Sequence, residues 1–173
     1  MIMFTKRGWS NDSHDPLYFH SKSREYAFLS NFYKSPIFEP KTKKVFPNVE
    51  TYFQGYKYVN RPDADAILEY FSHLKEPQDA KKAGSRKQMP MTKEEEKEWI
   101  LGRRVTVMRE ALDLKFSQHP ELRDHLLKTG DKVLIERVPR GDEFWGIRSS
   151  AGANVLGQLL MQVRQSYLPH TRA

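Results

Sequence analysis

The chain has 173 residues, enough for one domain with a buried core. Hydrophobic residues make up 38% and charged residues 29%, which fits a soluble globular protein rather than a disordered one, and no apolar run approaches the length of a membrane span. The absence of cysteine excludes disulfides, thiolate zinc sites and cysteine nucleophiles together, while a formal net charge of +7 favours phosphate-bearing partners.

The opening residues Met1-Ile2-Met3-Phe4-Thr5-Lys6-Arg7 show no apolar stretch followed by a small-residue cleavage site. With the lack of cysteine, this sets the expectation of an intracellular, cytoplasmic protein. Residues 1–16 are polar and are expected to form a flexible segment. Leu17-Tyr18-Phe19-His20 reads as a short strand. Residues 24–35 read as a structured loop leading to a strand around Ile37-Phe38, with Lys43 to Phe46 as its hairpin partner. Pro47 and Asn48 then punctuate the chain, and Asn48 is a candidate N-cap for the helix that follows. After Pro62 a helix over 63–73 carries Ile67, Leu68 and Phe71 on one side, with Leu74 just beyond. Pro77 opens a short helix toward Gly84. Thr92 and Glu95 have capping-box spacing and start a long helix to about Phe116, with Trp99, Val105, Met108 and Leu112 among its apolar positions. Pro120 begins a helix that ends at Thr129-Gly130. Val133 to Glu136 is β-rich and reads as a strand. The turn-rich segment from Pro139 to Gly152 precedes a last helix from Asn154 to about Tyr167, buried through Val155, Leu156, Leu159, Leu160 and Val163. The expected fold is a helix-rich α+β single domain with a small β-sheet.

The most informative stretch is Val49 to Tyr58. It places Glu50, Gln54 and Lys57 at i, i+4 and i+7, on one helical face. Glu50 and Lys57 start about 10 Å apart along the axis, and their long side chains can converge on one small ligand. A glutamate and a lysine facing one ligand suit acid–base or Schiff-base chemistry. The plainer alternative is an amphipathic helix with a solvated face, but Tyr52, Phe53, Tyr56 and Tyr58 argue that much of the helix is covered. Gly141-Asp142-Glu143-Phe144-Trp145-Gly146 is a second candidate, in which Trp145 can stack on a base and Asp142 sits in a glycine-flanked loop; a core Trp beside a turn Asp is equally compatible. Ser30-Asn31, framed by Leu29 and Phe32, suggests a buried turn that bonds either ligand or backbone. The six histidines form no HxxxH pair, so no metal site is indicated, and no Walker loop, GxGxxG or GxSxG motif occurs. The basic residues lie in small groups such as Lys81, Lys82, Arg86 and Lys87 rather than in one long run.

Several blocks in order carry a resemblance. They are Phe28-Leu29-Ser30-Asn31-Phe32, the Glu50…Gln54…Lys57 helix, Leu114-Lys115-Phe116 with His119-Pro120-Glu121-Leu122-Arg123, Leu126-Leu127-Lys128-Thr129-Gly130, Leu134-Ile135-Glu136, Asp142 to Ile147, and Asn154-Val155-Leu156-Gly157 with Leu160-Met161 and Arg164. Together, over roughly residues 24 to 167, they resemble the NADAR (YbiA-like) family. The resemblance implies a NADAR domain over 17–168 and N-glycosidase (glycosyl hydrolase) activity without cofactor or metal. It implies two substrate types: ADP-ribose attached to guanine in DNA or RNA, and the phosphorylated ribosylaminopyrimidines of early riboflavin synthesis. In both, an exocyclic amine is joined to the anomeric carbon of a phosphorylated ribose. The resemblance casts Lys57 as the group that captures this carbon, Glu50 as the proton shuttle and Asp142 as the holder of the ribose hydroxyls or second carboxylate; the alternative is a direct route in which a carboxylate stabilises an oxocarbenium-like transition state and activates water. Trp145 is expected to stack on the base, and Ser30, Asn31 and Asn154 to line the pocket. Phe32, Gln54 and Gly146 complete the expected binding set. The positive charge tilts the choice toward ADP-ribosyl-guanine in nucleic acid. A non-catalytic binding module for ADP-ribose or a related nucleotide is the alternative outside enzymology. The chain departs from the family pattern in three places. Thr51 follows the glutamate where His is frequent. Arg148 and Ala153 replace glycines, which makes Arg148 a candidate phosphate partner. Trp99 stands one residue further from Met108 than in the pattern.

Overall fold

The computed structural model describes residues 15–138, 143–149 and 151–169. Most of the expected flexible segment, residues 1–14, therefore lies outside the described residues, as does Asp142. Among the described residues the strands form two separate two-stranded pieces. β1 (Leu17–Phe19) pairs in parallel with β4 (Leu134–Glu136), Leu17 opposite Leu134. β2 (Ile37–Glu39) and β3 (Lys44–Phe46) form an antiparallel hairpin, Ile37 opposite Phe46. The small sheet expected from the sequence is thus divided into two short ladders, β4 packed by α7 and the hairpin by α2 and α5.

The helix α1 (Val49–Tyr56) is buried at every residue. Its start is fixed as the sequence requires: Asn48 Oδ1 accepts the Thr51 N–H at 2.9 Å, and Thr51 Oγ1 accepts the Asn48 N–H at 3.3 Å. Around it lie α2 (Ala64–His73), α3 (Pro77–Ala83) and α5 (Arg104–Gln118). Gly55 is what lets α2 approach, since a Cβ there would lie 3.1 Å from Phe71 Cβ and 3.3 Å from Leu68 Cδ2.

The expected long helix from Thr92 to Phe116 is divided. The capping box at Thr92 and Glu95 forms and starts α4 (Lys93–Glu98), but α4 is followed by a π turn over Trp99–Arg103 before α5 begins. Gly102 leaves helical backbone angles there (φ 166°, ψ −29°), which ends the regular ladder. α6 (Pro120–Lys128) follows, and α7 (Val155–Ser166) packs on β4 and α5.

Asn154 precedes α7 in left-handed backbone (φ 50°), a conformation Asn tolerates better than most residues. Its side chain mimics a strand neighbour for β4: Oδ1 accepts the Glu136 N–H at 3.0 Å and Nδ2 donates to the Leu134 carbonyl at 2.8 Å. One fully buried amide therefore ties the last helix to the sheet. Asn154→Ala removes both bonds and places alanine at positive φ. A loss of about 2–4 kcal/mol of stability is expected in urea denaturation.

Candidate active site

α1 presents Glu50, Phe53, Gln54 and Lys57 to a cavity of about 230 Å³. The opposite walls come from Asn31 and Phe32 of the loop before β2, and from Trp99, Arg104 and Met108 around the π turn. Lys81 of α3, Glu136 and Val138 after β4, and Trp145 close the rim. The two tryptophans flank Phe53, at ring centroid distances of 5.0 Å (Trp99) and 5.5 Å (Trp145, edge-on at 90°). The result is an aromatic wall beside a charged one.

Glu50 is only 6% exposed. Its Oε1 accepts the Gln54 Nε2–H at 2.8 Å. Burial pushes its pKa above the ordinary carboxylate value, against the pull of the Gln54 hydrogen bond and the Lys81 and Lys57 cations. Lys57 follows the last turn of α1, and its Nζ donates to the Gly84 carbonyl at 2.7 Å. Burial pushes its pKa down to about 8; Glu50 works against this and Arg86 reinforces it. The same cause thus drives the carboxyl and the amine toward their neutral forms. Gly84 is kept without a side chain because a Cβ there would overlap the Gln54 amide. Asn31 Oδ1 and Gln54 Oε1 are buried with no hydrogen-bond partner, and Gln54 Oε1 packs against Gly84.

The ends of α1 are held from two sides. The Asn31 carbonyl accepts the Glu50 backbone N–H at 3.1 Å. Arg103 donates from the π turn to the carbonyls of Tyr56 (2.9 Å) and Lys57, satisfying groups that a helix end leaves open.

Of the residues singled out in the sequence, Glu50, Gln54, Lys57, Asn31, Phe32 and Trp145 meet at this cavity. Ser30, Gly146, Arg148 and Asn154 do not line it. Ser30 Oγ accepts the Phe32 N–H at 3.2 Å, a backbone bond within its own turn. The Asn154 amide is committed to β4. Gly146 lies behind the wall, where a Cβ would come within 2.8 Å of the Glu136 carbonyl and Val138 Cγ1, so glycine permits a close backbone approach. Arg148 is exposed and bridges Ala151 through its backbone.

Sequence reasoning did not assign Lys81, Arg104, Met108 or Glu136 to the site. Only the tertiary fold assembles them, and no local motif marks them. Trp99 did carry a signal. A π turn accommodates one extra residue in a helix, and the Arg104 N–H bonds the Trp99 carbonyl across it. Trp99 and Met108 stand on either side of Gly102, and both side chains reach the cavity.

The NADAR domain model matches residues 18–167. The chain belongs to the NADAR family. An N-glycosidase of Nostoc punctiforme is 36% identical over 150 residues, 86% of this chain and 90% of that protein. N-glycosidase YbiA of Escherichia coli is 34% identical over 148 residues, 85% of each chain. The chloroplastic riboflavin biosynthesis protein PYRR of Zea mays is 36% identical over 126 residues, 71% of this chain but 20% of that longer protein. The NMR structure of E. coli YbiA matches with a TM-score of 0.72 at 31% identity, covering 92% of this chain and 94% of that one.

This NADAR site predicts a measurable titration. NMR of labelled lysine should show Lys57 titrating near pH 8. Arg86→Gln removes a cation that disfavours the ammonium, so the Lys57 midpoint should move to higher pH.

Proposed function

We propose that the chain is an N-glycosidase that cleaves the bond between the anomeric carbon of a phosphorylated ribose and the exocyclic amine of a heterocycle. The observation that carries this reading is the buried Glu50 and the half-buried Lys57 on one cavity, each driven toward its neutral form. N-glycosidase relatives over most of the chain support it.

A ribosylamine opens its ring to an imine at the anomeric carbon. The neutral amine of Lys57 adds to that carbon, forming a C–N bond and moving the imine electron pair to the exocyclic nitrogen, which takes up a proton from the lysine nitrogen. Glu50 delivers a proton to the departing amine. The bond to the heterocycle breaks, leaving an imine to Lys57. Water adds to this imine, its proton returns to Glu50, and breakage of the lysine C–N bond releases the free sugar and the amine of Lys57. Trp145 and Phe53 offer faces for the heterocycle, and Asn31 Oδ1 accepts from its N–H groups or from ribose hydroxyls. Lys81, which makes no hydrogen bond or ion pair among the described residues, is placed to attract a phosphate. Asp142 keeps its proposed role on the ribose hydroxyls or as second carboxylate.

ADP-ribosyl-guanine in DNA or RNA is the first substrate on this reading, supported by the net charge of +7 and the basic group Lys81, Lys82, Arg86 and Lys87 on and after α3. A second substrate, a ribosylaminopyrimidine phosphate, is supported by the relative named for riboflavin biosynthesis. Chromatography with mass spectrometry on both substrates tests the choice. Loss of ADP-ribose from a modified oligonucleotide supports the first, and cleavage of the pyrimidine riboside alone supports the second. Lys57→Ala should lower turnover by about 10³-fold or more while ligand binding stays within a few-fold. Full activity in that variant would overturn the role of Lys57. Cleavage of neither substrate by the parent would leave a binding module.

A further inference from the structure

Lys115, on α5, is fully buried, with 0% exposure. Among the described residues no carboxylate pairs with it, and burial alone pushes its pKa down to about 7. An apolar side chain would fill the same space without the cost of burying an amine. What the amine supplies is two hydrogen bonds, from Nζ to the Phe28 carbonyl at 2.6 Å and to the Ser30 carbonyl at 3.1 Å. These carbonyls sit 85 or more residues away in sequence, on the turn (Ala27–Leu29) that precedes Asn31.

That turn feeds directly into the site. Asn31 and Phe32 line the cavity, and the Asn31 carbonyl holds the Glu50 N–H at the start of α1. On α5, Met108 stands seven residues before Lys115, two turns away on the same face, and also lines the cavity. The rings of Tyr33 and Phe116 lie 5.6 and 5.4 Å from the Lys115 amine and close its surroundings.

We infer that Lys115 is a positioning residue, which clamps the Phe28–Ser30 carbonyls so that Asn31 faces the cavity and fixes the start of α1 where Glu50 acts. The effect on turnover rests on the N-glycosidase reading; the effect on Glu50 does not. Lys115→Met keeps the length and apolar stem but removes both bonds. In the folded variant, kcat should fall at least tenfold with KM within about threefold, and the backbone amide resonance of Glu50 should shift. Should Lys115→Met fail to fold, Lys115→Leu, an apolar side chain that also removes both bonds, takes its place with the same readouts. A folded variant with parental kcat and an unmoved Glu50 resonance would overturn the proposal. So would a fall in activity with that resonance unmoved, since this marks general destabilisation. If the parent cleaves no riboside, the resonance alone decides: a shift supports the clamp and its absence overturns it.

Discussion

Everything in this molecule turns on the complete burial of α1. The helix is only eight residues long, yet all eight are buried. A surface helix would expose its Glu50–Gln54–Lys57 face to water and leave the groups in their ordinary charge states. Here that face meets a cavity walled by Phe53, Trp99 and Trp145 instead. Desolvation penalises any unpaired charge, so it moves the carboxyl up and the amine down in pKa at once. One physical cause thereby moves both groups toward their neutral forms on one face.

A buried helix also needs its backbone ends satisfied, and the groups that do so are part of the site. Asn31 serves the first turn through its carbonyl, while its side-chain oxygen is buried without a hydrogen-bond partner beside the cavity. Arg103 serves the last turn, next to the Trp99 wall. The Gly84 carbonyl holds Lys57, while the missing Cβ of Gly84 makes room for Gln54, which in turn holds Glu50. The elements that stabilise α1 and the elements that shape the cavity are therefore largely the same, and changes to one are felt by the other.

Local physics made much of this legible in the sequence. The Asn48 cap, the Thr92 and Glu95 box, Pro77 and Pro120 at first helical positions and the spacing of Glu50, Gln54 and Lys57 each depend on residues within a few positions of one another, and each forms. The division of the long helix was not legible as such. Its apolar spacing continues smoothly past Gly102, where the backbone leaves helical angles. Ser30 looks like a ligand group in sequence because it is polar and framed by apolar residues, and Asn154 because the family resemblance placed it there. The same framing arises when a side chain satisfies buried backbone, which is what both do. Lys81, Arg104 and Glu136 join the cavity from separate elements, so no spacing announces them.

The central claim is that a desolvated Lys57 bonds covalently to the sugar. Incubation with a cleavable riboside in the presence of cyanoborohydride, followed by peptide mass spectrometry, addresses it directly. The account predicts a sugar-sized mass increment on the peptide bearing Lys57, absent without substrate and absent in Lys57→Ala. Undiminished cleavage with no adduct on that peptide would contradict it and leave direct attack by water.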